Sequence, residues 1–388
     1  MPIYKLNDVC EFITDGTHQT PTYCEDGGVI FLSSKDVTSR KIDWENAKHI
    51  PDELHAKLYK RLAPQRNDIL LAKNGTTGVA AIVDRDDIFN VYVSLAVLRP
   101  KKEIYPHYLL YAINSSVAKR QFNAGLKGIG VPNLHLSVIR NARINVCHYE
   151  QQVKICDRLE KISNIIEARK QELQLLDDLI KARFVEMFGD PVCNPLRWEK
   201  KTLKEVCIKL NDGTHFSPES FETGEYKYVT AKNIKMSGFD FTNITYVPEE
   251  VHRPIYERCN PELGDVLYIK DGVTTGIAMV NTLEEEFTLL SSVALLKQDR
   301  RIMNGHFLSA LLNDENMYTD IRSNMGGAAI TRLTIAKLNT IKVILPPIEL
   351  QTQFAAFVEQ TNKSKVAIQK ALDKTQLLFD SLMQKYFG

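Results

Sequence analysis

The chain has little that would staple it, anchor it or steer it by charge. Its seven cysteines, at 10, 24, 147, 156, 193, 207 and 259, are odd in number and scattered. No Cys-x-x-Cys pair occurs, so neither a zinc ribbon nor a disulfide framework is expected, and the thiols read as reduced residues of a cytoplasmic protein. No apolar run approaches the ~18 residues of a membrane-spanning helix. Met1 to Asp8 contain no apolar signal core, so a cytoplasmic location without a membrane partner is expected. Neither sign of charge dominates, because 49 basic and 48 acidic residues leave a net charge of +1. Dedicated DNA-binding domains are commonly more basic. Any nucleic-acid surface here must come from charge segregated to one face or from a partner.

Signatures of catalysis are missing as well. Gly-Lys never occurs, which removes the phosphate loop, and His-Glu-x-x-His is absent. Gly125, Gly128 and Gly130 do not fit a dinucleotide loop. There is no Asn-Pro-Pro-Tyr-like run of the kind adenine methyltransferases use. Pro51-Asp52-Glu53 with Lys57 faintly echoes a nuclease metal site, but Pro254 stands opposite Lys57 in the second copy described next. The chain is expected to be non-catalytic and to hold no metal or cofactor of its own.

What is present is a duplication. Asp15-Gly16-Thr17-His18 recurs as Asp212-Gly213-Thr214-His215, an offset that also aligns Val9-Cys10 with Val206-Cys207, Lys35 with Lys232, Arg61 with Arg258 and Lys73 with Lys270. After one inserted residue Thr76-Thr77-Gly78 meets Thr274-Thr275-Gly276. After one further shift Leu134 meets Leu333, and Phe188-Gly189 meets Phe387-Gly388. Each copy is far longer than a solenoid repeat of about 20–50 residues, so the copies are domains. The reading is an α+β chain divided as 1–147, 148–189, 190–346 and 347–388: two tandem, pseudo-symmetric mixed α/β domains, each followed by a long helix.

Within the domains, Ile69 to Ala72, Val79 to Val83 and Val91 to Leu98 read as buried strands. Tyr105 to Gln121 and Gly305 to Arg322 read as helices. Beyond them no Gly or Pro interrupts Gln151 to Phe188 or Glu349 to Phe387. Apolar residues step by three and four through Leu159, Ile162, Ile166, Leu173, Leu176 and Ile180. The second copy continues the register through Val358, Ile368, Leu372, Phe379 and Leu382. Two long helices with matched seams are expected to pair as an antiparallel coiled coil, because a whole domain separates the end of one from the start of the other.

Three polar loops recur in both copies. The first carries Thr17, His18, Gln19 and Thr20 against Thr214, His215, Phe216 and Ser217. The second carries Lys73, Asn74, Thr76 and Thr77 against Lys270, Asp271, Thr274 and Thr275. The third runs from Lys127 to Asn133, against a segment ending at Arg332. Ser34-Lys35 and Ala231-Lys232 add a further polar pair. Gly lets a backbone approach a phosphate, Thr and Lys bind its oxygens, and Asn, Gln and Arg read base edges. His18 and His215 fit either a hydrogen-bonded structural role or a DNA contact.

The Asp-Gly-Thr-His-x-[Thr/Ser]-Pro turn, the Leu-x-x-Lys-x-Gly loop and the two-copy layout resemble the specificity subunit of type I restriction–modification enzymes. Leu345-Pro346-Pro347-Ile348-Glu349-Leu350-Gln351 matches the usual helix start, which the first copy replaces with Val146 to Gln152. The resemblance implies that each recognition domain reads one half of a split, asymmetric double-stranded DNA target in the major groove. It implies that the helices set the gap and dock two methyltransferase (M) subunits, which carry S-adenosylmethionine. Restriction (R) subunits would add ATP- and Mg-dependent translocation and cleavage. A specificity subunit of a related two-sided-cutting system, and a duplicated protein-binding adaptor with a coiled-coil interface, are the alternatives. Residues identical in both copies should serve the frame or contact phosphates. Base readers should stand where the copies differ, at Gln19 against Phe216, Ser34 against Ala231, Asn74 against Asp271 and Asn133 against Arg332.

Overall fold

A computed structural model of the chain describes residues 1–25, 27–38, 40–126, 133–323 and 332–388. The chain folds as two compact units, one of them discontinuous in sequence. One comprises Met1–Lys170 with Lys370–Gly388, the other Gln171–Gln369.

The first unit is built on a four-stranded antiparallel sheet. Its strands are β1 (Cys10–Asp15), β2 (Ile69–Ala72), β3 (Ala80–Ile82) and β4 (Leu95–Pro100), in the order β1-β4-β2-β3. Every residue of β2, and Leu95 to Leu98 of β4, is buried. Covering on both faces is why these strands read as unbroken apolar runs and not as alternating ones. Leu32, Val37, Trp44, Phe89 and Val91 pack beside Leu70, Ala72, Leu95 and Val97. A smaller sheet places Val29–Leu32 between antiparallel Lys48–Ile50 and parallel Phe89–Val91. The second unit repeats this plan with β5 (Cys207–Asp212), β6 (Val266–Ile269), β7 (Ala278–Val280) and β8 (Val293–Gln298), in the order β5-β8-β6-β7. Its small sheet is Tyr226–Val229 between Thr245–Val247 and Phe287–Leu289.

Three expected elements are broken, the two helices where polar side chains reach the backbone and the strand at a backbone turn. The helix expected from Tyr105 to Gln121 is two, Pro106–Ile113 and Ser116–Ala124. Between them Asn114 Nδ2 donates to Ala80 O while its Oδ1 accepts from Ala80 N–H, and Ser115 caps the next helix. Asn313 does the same to Ala278, with Asp314 Oδ1 accepting the amides of Asn316 and Met317. The strand expected from Val91 to Leu98 divides at a turn closed by Leu95 N–H donating to Tyr92 O.

Both long helices are present, Tyr149–Phe188 and Ile348–Phe387, of 40 residues each. Their starts are fixed by one device. Gln152 Oε1 accepts from Tyr105 N–H, and its Nε2 donates to Glu103 O and Cys147 O. Gln351 makes the corresponding bonds to Asn304, Ile302 and Pro346. The glutamine therefore secures the helix even where the preceding Pro-Pro is lost. Of the seam residues, Leu159, Ile166, Val358, Leu372 and Phe379 are buried, while Ile162, Leu173, Leu176, Ile180, Ile368 and Leu382 are half-buried. In the first unit Arg158 meets Tyr386 at 3.2 Å and Arg169 donates to Ala371 O at 2.5 Å, so the helices run antiparallel. In the second, Lys365 pairs with Asp177, and Phe354 packs on Phe184 and Phe188. Each unit thus contains the start of one long helix and the end of the other.

Candidate nucleic-acid interface

An antiparallel order brings alternate strand ends to one edge. In the first unit the end of β1, the end of β2 and the starts of β3 and β4 share that edge. The turns following Asp15 and Ala72, and the turn preceding Leu95, therefore emerge together.

Lys73 knits them. Its ammonium donates to Asp15 Oδ2 at 2.6 Å and to Val93 O at 3.2 Å. Its backbone N–H donates to Ser94 O, and its carbonyl accepts from Leu134 N–H at 2.9 Å, which ties in the third loop. Ser94 Oγ accepts from Ser34 N–H at 3.0 Å, which ties in the Ser34–Asp36 turn. Arg61 clamps the first loop from the side by donating to Asp15 O and Gly16 O. A Cβ on Gly16 would stand 1.9 Å from Val91 O, so only glycine lets the loop lie this close to the neighbouring backbone.

The second unit keeps the frame. Lys270 sits between Asp212 at 3.4 Å and Asp271 at 2.9 Å, and its carbonyl accepts from Leu333 N–H at 2.8 Å. Ser292 Oγ accepts from Ala231 N–H, Arg258 donates to Gly213 O, and a Cβ on Gly213 would meet Leu289 O at 1.9 Å.

The structure divides the sequence-derived candidates into an interior and an exterior. Lys73, Ser34, Lys270, Thr214 and Thr275 are buried. The two ammonium groups expected at phosphates are instead enclosed with carboxylates, and Thr275 Oγ1 donates to Gly272 O. These five residues hold the edge together and do not present themselves to a ligand. His18, Gln19, Thr20, Lys35 and Thr76 are exposed in the first unit, as are His215, Phe216, Ser217, Lys232, Thr274 and Arg332 in the second. Thr17, Asn74, Thr77, Asn133 and Asp271 are half-buried. Lys127 lies outside the described residues. The two histidines make the structural contact that one sequence reading expected, and they do so from the surface. Each Nε2 lies within 3.4 Å of its aspartate, yet the rings remain 70% and 59% exposed.

Sequence reasoning missed Arg61 and Arg258 as loop clamps and Ser94 and Ser292 as the joint between loops. The signal was the repeat itself, because both pairs align between the copies. It also missed Val273, which is 93% exposed at the tip of the second loop. Phe216, 61% exposed, stands by a groove lined by Glu250, Val251, Pro254 and Ile255. Among the described residues no cluster of His, Cys, Asp or Glu could hold a metal ion. No helix among them is long and apolar enough to cross a membrane.

One acid-sensitive group supports the second edge. His252 is fully buried, stacked on Tyr226 at 3.8 Å, with Nδ1 2.8 Å from Thr288 Oγ1 and Nε2 3.3 Å from Glu286. Arg253, Glu249 and Tyr256 complete its surroundings. Burial holds its pKa below the ordinary imidazole value, against the opposing pull of Glu286. His306, in the same unit, is lowered by burial too. Below about pH 6.5 the unfolded chain takes up protons that the folded unit refuses, so stability is full above that pH and falls with acid. The melting temperature of this unit is expected to drop between pH 7 and pH 5, and to drop less in His252→Gln. Equal slopes in thermal melts of the two chains would refute this.

Comparison with known proteins agrees with the geometry. The family described as "Type I restriction modification DNA specificity domain" matches residues 1–177 and again 195–376. The type I restriction enzyme MjaIX specificity subunit of Methanocaldococcus jannaschii is 21% identical over 99% of this chain and 91% of its own. The MjaVIII specificity subunit of the same organism is 27% identical, but over 45% of this chain and 42% of that subunit. The crystal structure of the type I restriction–modification S subunit from M. genitalium superimposes with a TM-score of 0.60 at 15% identity, covering 100% of this chain and 96% of that one. That likeness extends to the whole two-domain fold. With both copies of the duplication matched over most of their length, the chain belongs to the type I restriction–modification specificity subunits.

Proposed function

We propose that each loop-bearing edge reads one half of a split, asymmetric sequence in double-stranded DNA, and that the paired helices set the gap and dock two methyltransferase subunits. The observation that carries this is a frame repeated twice with different exteriors. The lysine–aspartate interior, the glycine approach and the serine joint are common to both edges. The outward positions, exposed Gln19 against exposed Phe216 and half-buried Asn133 against exposed Arg332, are not. One scaffold presenting two different readers is what an asymmetric target requires. Phosphate contacts position a protein without carrying sequence, and the exposed Lys35 and Lys232 suit that role. The near-neutral charge fits a subunit whose partners clamp the DNA and supply further basic surface.

In this reading the chain catalyses nothing. S-adenosylmethionine is held by the M subunits, and ATP with Mg by the R subunits, of a complex working in the cytoplasm where the DNA lies. The test is co-expression with the methyltransferase subunit of its own system, followed by single-molecule mapping of N6-methyladenine in host DNA. One split motif that vanishes when this gene is deleted is expected. Replacing residues 1–147 by those of a different specificity subunit should change one half of the motif and leave the other. Methylation that survives the deletion, or a swap that alters both halves, would overturn the proposal.

A further inference from the structure

The two edges differ most in charge at one pair of positions. In the second unit Asp271 and Arg332 face each other across an isolated β-bridge, with Arg332 Nε 3.3 Å from Asp271 Oδ1. The other carboxylate oxygen takes the Lys270 ammonium at 2.9 Å. Asp271 Oδ1 is buried and accepts no hydrogen bond, so the guanidinium is held beside it by charge, opposite the ammonium on the other oxygen. The Arg332 side chain is nevertheless 58% exposed. In the first unit the same positions hold two neutral amides, Asn74 and Asn133.

This ion pair is not needed by the frame. The backbone bond joining the third loop to the second is 2.8 Å long in the second unit and 2.9 Å in the first, where no charge is present. Because the Arg332 guanidinium is largely exposed and Lys270 also faces Asp271, the pair contributes only about 0–1 kcal/mol to stability. Its effect is on the orientation of the arginine. With Nε drawn to the carboxylate by charge, Nη1 and Nη2 remain as two donors in one guanidinium plane. In the major groove the O6 and N7 atoms of guanine are two adjacent acceptors that match such a fork. Adenine sets an amino donor beside N7, and cytosine and thymine offer no paired acceptors.

We propose that Arg332, oriented by Asp271, reads a guanine in the half-site taken by the second unit. The inference rests on the recognition role argued above and adds the base and the side chain that selects it. The first unit, with amides at these positions, makes no corresponding demand for guanine.

The test uses the full chain co-expressed with its methyltransferase subunit and the same N6-methyladenine mapping. In the unaltered protein one half of the motif contains the guanine. Arg332→Asn should lower the preference for that base by about ten- to a hundredfold while the other half is unchanged. Arg332→Lys keeps the charge but not the fork, and should relax the same position. The reciprocal variant, Asn74→Asp with Asn133→Arg, should install a guanine preference in the other half, so the proposal can be tested even if the loss variants fold poorly. A motif untouched by both Arg332 substitutions, or relaxed at a base pair other than G·C, would overturn it. An unaltered protein that directs no split motif would instead overturn the recognition role itself.

Discussion

A Lys73→Met chain should lose the order of its first reading edge, at a cost of about 3–5 kcal/mol. The substitution leaves the Asp15 carboxylate, 10% exposed, without its ammonium, and removing one partner of a buried pair strands an uncompensated charge. Arg61 does not rescue it, because its guanidinium is committed to backbone carbonyls. The second unit responds differently to Lys270→Met. Arg258 stands 3.4 Å from Asp212 and Arg332 3.3 Å from Asp271, so each carboxylate keeps a cation and the cost should be smaller. Chemical denaturation of the two variants, read beside amide exchange at residues 73 and 134, measures the difference. Adding Asp15→Asn to Lys73→Met should restore most of the loss by removing the stranded charge. Equal costs in the two units, or no recovery in the double variant, would show that the loss does not come from a stranded Asp15 charge.

The second large effect is expected in a unit most of which lies far from the substituted residue in sequence. Phe387 is 3% exposed, and its ring lies 5.0 Å from that of Tyr108. Phe387→Ala should therefore cost about 3–5 kcal/mol, and that loss should fall on the unit containing residue 1. Phe188 occupies the matching position, buried between Phe307 and Phe354, so Phe188→Ala should weaken the unit of residues 171–369. Hydrogen exchange resolved by peptide distinguishes the two outcomes. Loss of protection in the unit adjoining each phenylalanine in sequence, instead of the one it packs into, would contradict the interleaved arrangement.

Much of this architecture is legible in the sequence because the duplication acts as an internal alignment. Phe188-Gly189 against Phe387-Gly388 marks both helix ends, and the seam from Leu159 to Ile180 has the period of a paired helix. The break at Asn114 is harder to see. An asparagine in a helical pattern is common, and its bonds run to Ala80, 34 residues earlier in the chain. The candidate site shows the limit of the method more sharply. A lysine kept in both copies fits a phosphate ligand and a buried ion pair equally well. Only the position of Asp15, 58 residues away, separates the two. By contrast, positions where the copies differ on the exposed surface, such as Gln19 and Phe216, are readable as candidates because burial does not constrain them.

The interleaving of the helices bears on the order in which the protein acquires its shape during synthesis. Met1–Lys170 leaves the ribosome long before Lys370–Gly388, and every residue of Gln171–Gln369 is made in between. Until then the apolar surface that receives Phe379, Tyr386 and Phe387 stays uncovered. Contacts of such sequence separation close large loops and form slowly, and exposed apolar surface invites aggregation. The N-terminal unit is thus the first translated and the last completed, and a nascent chain stalled anywhere before the final helix carries an open hydrophobic seam.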